Sequence, residues 1–133
     1  TSIIPNLLVK GIGQAVVRAK GEKIYIANLM TQQGETSKYT TSQHIEAIHT
    51  HVGEPFIESV LINEKELPSL IYENYREENA EPVKFDIDRI KDMGINIIKK
   101  EIALIQNGTV RHDASNLADW LCEYTILKQQ TMQ

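Results

Sequence analysis

The spacing of apolar positions changes period several times along the chain, and each change predicts an element. Ile3, Ile4, Leu7, Leu8, Ile12, Ala15, Val16 and Ala19 recur at helical spacing, a stripe of about five turns. Thr1 or Ser2 can cap its start, Pro5 suits a first turn, and Gly21 is placed to end it. Gly11 and Gly13 each weaken such a helix by about 1 kcal/mol against alanine. Residues 23–30 are then apolar and nearly continuous, as expected of a parallel strand covered on both faces. Residues 31–40 reverse this character. Almost every one offers a hydroxyl, amide or carboxylate, and Gly34 gives the freedom a tight turn needs. A helix carrying His44, Ile45, Ala47, Ile48 and His51 follows, capped by Thr41 or Ser42 and closed by Gly53. Strand, polar loop, helix is the unit that binds ligands at the carboxyl edge of open α/β sheets.

The same pattern continues downstream. Residues 59–63 read as a short strand that ends on an asparagine, and residues 67–75 as a helix with Pro68 in its first turn. Residues 76–82 are polar and acidic, a loop; residues 83–86 alternate as an edge strand would. Residues 88–93 form a brief helix stopped by Gly94, and residues 95–98 a further strand that residues 99–104 continue past a bend. Asn107-Gly108 is the strongest hairpin signal in the chain and sends residues 109–112 back as a returning strand. Asp113 or Ser115 caps a last amphipathic helix through Leu117, Leu121, Tyr124 and Leu127, with a polar, frayed tail from Lys128. The fold class is α/β with a mainly parallel sheet.

Composition narrows the function classes. A chain of 133 residues is one domain or part of one, and 41% hydrophobic residues suffice for a core. The net charge of -4 and the absence of a dense basic patch argue against nucleic acid as a partner. The lone Cys122 cannot make an internal disulfide, and it is read as core, one helical turn after Ala118. No apolar run is long enough to span a bilayer and no signal peptide is evident, so a cytoplasmic location is expected. Thr1 stands where an initiator methionine is expected, and the chain is read as a fragment lacking its upstream part.

Four groups of residues could carry chemistry. Asn28, Thr31, Gln32, Gly34, Glu35, Thr36 and Tyr39 line the polar loop, where backbone N–H groups and hydroxyls can hold a phosphate or sugar. Thr1 and Ser2 sit at a helix start, which favours an anion as readily as it accepts an ordinary cap. Arg111-His112-Asp113 joins a fork for phosphate, a group titrating near neutrality and a helix cap. His44, His49 and His51 lack the i, i+4 spacing of a helical zinc pair, so they are read as surface or partly buried histidines.

Taken together, these segments resemble one family. Thr1-Ser2-Ile3-Ile4-Pro5-Asn6-Leu7-Leu8, Asn28-Leu29-Met30-Thr31-Gln32 with Gly34-Glu35-Thr36 and Tyr39-Thr40, Glu54-Pro55-Phe56, Glu81-Pro82-Val83 and Arg111-His112-Asp113 follow in the order found in the gluconeogenesis factor (YvcK) family. That family is related to the 2-phospho-L-lactate transferases (CofD) of deazaflavin cofactor synthesis. The resemblance implies a Rossmann-like three-layer α/β/α domain. On that reading residues 1–133 are its C-terminal part, and the glycine-rich first half lies upstream.

The resemblance also implies binding of UDP-sugars, notably UDP-N-acetylglucosamine, and a regulatory role in gluconeogenic growth, cell shape and envelope synthesis. By motif, Tyr75 and Arg111 correspond to positions implicated in nucleotide-sugar binding, with Thr1, Ser2, Asn6, Asn28 and Thr31 as polar partners. Gln33 stands where the family usually has proline. Ala114 replaces a threonine that some members phosphorylate, and it has no hydroxyl for a kinase. Three functions remain open: a nucleotide-sugar-binding regulator, a CofD-like transferase in which Mg2+ would neutralise phosphates, and a structural half-domain. A homo-oligomer is compatible with each.

Overall fold

The computed structural model describes residues 2–131. Its centre is a parallel sheet in the order β1 (Ile24–Ile26), β2 (Ser59–Asn63), β3 (Asn96–Lys100), with β2 in the middle. Tyr25 pairs with Val60, and Val60 with Ile97. All five residues of β2 are buried, because a central parallel strand has helices over both faces. Alternation then sorts its side chains. Val60 and Ile62 enter one cluster with Tyr25, Ala27, Ile45 and Ile90, while Leu61 enters another with Leu29, Ile71, Val110 and Leu117.

The first cluster is covered by α1 (Ile4–Leu7), α3 (Thr41–Val52) and α5 (Ile87–Asp92). The second lies under α4 (Ser69–Glu77), the hairpin β4 (Ala103–Gln106)–β5 (Thr109–His112) and the start of α6 (Ala114–Thr131). Two covered faces make the three layers of a Rossmann-like α/β fold. The hairpin turns where expected: Asn107 and Gly108 both have positive φ, 51° and 73°, which fits a two-residue turn matched to strand twist.

Several boundaries differ from the sequence reading. The first apolar stripe is two helices, α1 and α2 (Ile12–Arg18), separated at Gly11, whose φ of 88° starts the second. Ile3, not Ser2, precedes α1 and makes no side-chain cap hydrogen bond, while Thr1 lies outside the described residues. Arg18 ends α2 three residues before Gly21, which has no positive φ. Thr40 rather than Thr41 or Ser42 caps α3, in a reciprocal capping box with Gln43. Pro68 precedes α4 instead of occupying its first turn, and α4 runs on through Arg76 to Glu77. The bend after β3 is held by Asn63, whose Oδ1 accepts the N–H of Lys65 and of Ile102, each at 3.1 Å. The last helix continues past Lys128 to Thr131, with Ile126 and Leu127 exposed, and the rest of the expected tail, residues 132 and 133, lies outside the described residues. Cys122 is exposed, not core.

Two departures share one cause. The expected strand over residues 23–30 is hydrogen-bonded to β2 only as far as Ala27, whose N–H reaches the Leu61 carbonyl at 2.9 Å. Beyond it the chain changes partner. Val83 donates to the Leu29 carbonyl at 3.0 Å and Thr31 to that of Glu81 at 2.8 Å, with Met30 bridged to Pro82. Residues 83–86 are consequently no edge strand. Lys84 gives its carbonyl to the N–H of Thr41, and Asp86 sends its carboxylate to Ser42 on α3. Asp86 accepts the Ser42 N–H at 3.0 Å and the Ser42 hydroxyl through its other oxygen.

Burial pushes the Asp86 carboxyl up, but the hydroxyl and amide of Ser42 outweigh it and hold its pKa below the usual carboxylate range. Replacing Asp86 with alanine leaves two Ser42 donors without their acceptor and should cost about 1.5–3 kcal/mol in urea unfolding at neutral pH. A depressed folded-state pKa adds stability above the unfolded value and loses it as pH falls through the folded one. The gap between wild type and Asp86→Ala should therefore be constant near neutrality and shrink below about pH 4. A gap that widens on acidification would exclude this role for Asp86.

Candidate functional site

The partner change after Ala27 opens a cleft of about 500 Å³ at the carboxyl end of β1. One wall is the chain leaving the strand, residues 28–33; the others come from the end of α4 and from β5. Of the residues singled out in the sequence, Asn28, Thr31, Gln32, Tyr75 and Arg111 meet here. Their roles within the fold differ.

Thr31 is buried, and its hydroxyl accepts the Glu81 N–H at 3.0 Å, so it fastens the wall together. Tyr75 also serves the frame. Its hydroxyl accepts the Val110 N–H at 3.0 Å, tying α4 to the hairpin while its ring lines the cleft. The phenol oxygen is thus engaged with backbone. Asn28 is half-buried, and its Oδ1 accepts the Tyr25 hydroxyl at 2.6 Å. Arg111 stands apart from these. It is exposed on β5, and among the described residues its guanidinium has no carboxylate within ion-pair distance.

Three polar residues of this cleft were absent from the predicted ligand set. Glu78 follows Tyr75 by three positions, a spacing that returns to the same side of a helix. His112 lies beside Arg111, and its Nε2 is 2.9 Å from the Ala27 carbonyl. A carbonyl cannot donate, so Nε2 carries the proton and clamps the hairpin to the end of β1. Gln33 also reaches the cleft from the loop. Proximity to Tyr75 and Arg111 was the signal available for the first two.

Glu35, Thr36 and Tyr39 lie elsewhere. With Asn28 they line a second, smaller cleft of about 210 Å³ beside α3. Thr36 is buried and its hydroxyl accepts the Gln32 N–H at 2.9 Å, which folds the loop on itself. Gly34 takes the expected left-handed conformation, φ 77°, and lines neither cleft. Ser2 and Asn6 also line neither; they are exposed, with the Asn6 amide donating to the Ser2 carbonyl at 3.0 Å. Thr1 lies outside the described residues.

The histidines of α3 have separate environments. His49 Nε2 accepts the N–H groups of Phe56 and Ile57 at 3.3 and 3.1 Å, and burial lowers its pKa. His44 is buried against the smaller cleft. Among the described residues no three His, Cys, Asp or Glu side chains converge as a metal site would need. No helix among them is long and apolar enough to cross a membrane. The main cleft offers one unpaired cation, amide and hydroxyl edges and an aromatic wall, a set suited to an anion carrying a polar ring.

Comparison with known proteins agrees with this architecture. The family model described as 2-phospho-L-lactate transferase CofD matches residues 1–103. The gluconeogenesis factor of Bacillus subtilis strain 168 is 43% identical over 129 residues, covering 97% of this chain and 40% of that protein. That of Halalkalibacterium halodurans is 37% identical over 123 residues, covering 92% and 38%. A crystal structure of a UPF0052 family protein from Bacillus halodurans superposes with a TM-score of 0.83 at 37% identity, over 88% of this chain and 38% of that one. The chain thus spans about two fifths of the length of these relatives. Domain match and fold coincide, and the chain belongs to the CofD family, with sequence relatives named gluconeogenesis factor.

Proposed function

We propose that the main cleft binds a nucleotide sugar of the UDP-N-acetylglucosamine kind, and that the protein acts as a regulator of gluconeogenic growth, cell shape and envelope synthesis. The observation that carries this reading is the Arg111 guanidinium, without an ion-pair partner among the described residues and lining the same cleft as Asn28, Gln32 and the Tyr75 ring. A guanidinium with its donors free suits the two adjacent charges of a diphosphate, which a fork can hold at two points. Amide groups and an aromatic face suit a uracil and its ribose. The relatives named gluconeogenesis factor support the physiological side.

The match to a 2-phospho-L-lactate transferase model favours a second reading, transfer of a phosphate-linked group from a nucleotide-activated donor. Such chemistry draws on a divalent ion to neutralise phosphate charge. The side chains of the described residues do not fit a dedicated Mg2+ cage, since Glu78 enters the main cleft without a companion carboxylate. No metal step is assigned to them.

Calorimetric titration with UDP-N-acetylglucosamine, UDP and GDP, each with and without Mg2+, separates the two. Metal-independent binding selective for the UDP-sugar, with no turnover, is expected of the regulator. Mg2+-dependent binding of GDP, with product formation from a nucleotide donor, would replace it with the transferase.

Two substitutions sharpen the test. Arg111→Ala should weaken binding by about 1.5–3 kcal/mol through loss of a charge-assisted contact, with the unfolding midpoint unchanged because the guanidinium makes no ion pair among the described residues. Unaltered affinity would remove Arg111 from the site. Tyr75→Phe keeps the ring and strands the Val110 N–H, so it should lower stability by about 1–3 kcal/mol. Its effect on affinity should be smaller than that of Arg111→Ala in the same titration.

A further inference from the structure

His44, which lines the smaller cleft, carries at Nε2 the one buried side-chain polar atom among the described residues that has no hydrogen-bond partner. Such atoms are rare in folded proteins. His44 is only 6% exposed. Its Nδ1 lies 2.8 Å from the Thr40 carbonyl, which can only accept, so Nδ1 holds the proton of a neutral ring. Burial lowers the pKa of this histidine and so favours the neutral form. Nε2 is then an open lone pair that asks for a donor. Tyr39 presents its ring at 80° to the imidazole, with centroids 5.6 Å apart.

The surroundings narrow the donor. A volume of about 210 Å³ suits one ring rather than a whole nucleotide. Ile4, Ile48 and the Tyr25 and Tyr39 side chains give apolar and aromatic walls, while Asn28 and Glu35 add hydrogen-bonding groups. A pyranose has that dual character, with C–H faces for the rings and hydroxyls around its edge. Asn28 borders this cleft and the main one, and the loop after β1 supplies walls to both.

We infer that the smaller cleft seats the sugar ring of a bound nucleotide sugar, with His44 Nε2 accepting a hydrogen bond from a hydroxyl or amide of that ring. The inference rests on the nucleotide reading of the main cleft. It makes the two clefts one bipartite site, in which Arg111 holds the charged half and His44 reads the uncharged half.

Calorimetry on the intact protein with UDP and with UDP-N-acetylglucosamine tests this. Wild type should bind the sugar nucleotide more tightly than UDP. His44→Phe should reduce that advantage by about tenfold and leave UDP affinity unchanged. His44→Gln, which retains an acceptor oxygen, should recover part of it. The 15N resonance of His44 Nε2 should move on addition of the sugar nucleotide and not of UDP.

Equal affinity of His44→Phe and wild type for the sugar nucleotide would overturn the inference. So would an equal loss for both ligands, or an Nε2 already hydrogen-bonded in the ligand-free protein. The underlying reading fails separately: if UDP and its sugar both leave wild type unbound, the nucleotide site itself falls. If UDP binds without any sugar advantage, only the sugar seat does.

Discussion

The exchange of backbone partners after Ala27 is the constraint on which the rest of the structure depends. A parallel strand can end simply by running out of register with its neighbour. Here the chain hands its hydrogen bonds from β2 to residues 81–83 within three residues. The Leu29 carbonyl and the Thr31 N–H therefore stay satisfied while the backbone leaves the sheet. That departure separates the polar loop from the strand end and leaves room for a cleft between them. It also pulls the segment after Pro82 toward the N-terminal end of α3, where Asp86 meets Ser42.

Much of the fold was legible because alternation and period are local properties. Residues 59–63 form the predicted strand, Gly53 and Gly94 follow their helices with positive φ, and Asn107-Gly108 turns the hairpin. The errors fall where a nonlocal partner decides. Residues 83–86 alternate like a strand, yet their carbonyl and carboxylate acceptors are claimed by α3. The stripe from Ile3 to Ala19 has helical spacing throughout, but Gly11 takes a conformation that no helix interior contains. Cys122 shows the limit of helical patterning: it is exposed although its helix still meets the body beyond it, where Tyr124 donates to Glu22, so it lies on the side of the helix turned away from that contact.

The candidate site was legible in parts. Loop polarity marked Asn28, Thr31 and Gln32, the Arg-His-Asp turn marked Arg111, and family resemblance added Tyr75; Tyr75 and Arg111 come from α4 and β5 to the same cleft. Sequence could not show that Thr31 and Tyr75 spend their oxygens on backbone N–H groups. Nor could it separate Glu35, Thr36 and Tyr39 into another cavity, because the loop folds back through the Thr36 hydroxyl. His44 was weighed only as a metal ligand, and the spacing argument that set zinc aside was silent about a single open lone pair.

Tyr75 joins α4 to the hairpin through Val110, and His112 joins the same hairpin to the end of β1. Three sides of the main cleft are in this way cross-braced by two side chains that also line it. A frame of that kind does not breathe one wall at a time: shifting the hairpin breaks both braces together. Gly34 lies outside that frame, and the turn about it is closed by its own hydrogen bonds, from the Gln32 N–H to the Thr36 hydroxyl and from the Gly34 N–H to that of Ser37. The walls of the cleft are in this way set by the fold, as the jaws of a fixed gauge are set by its frame.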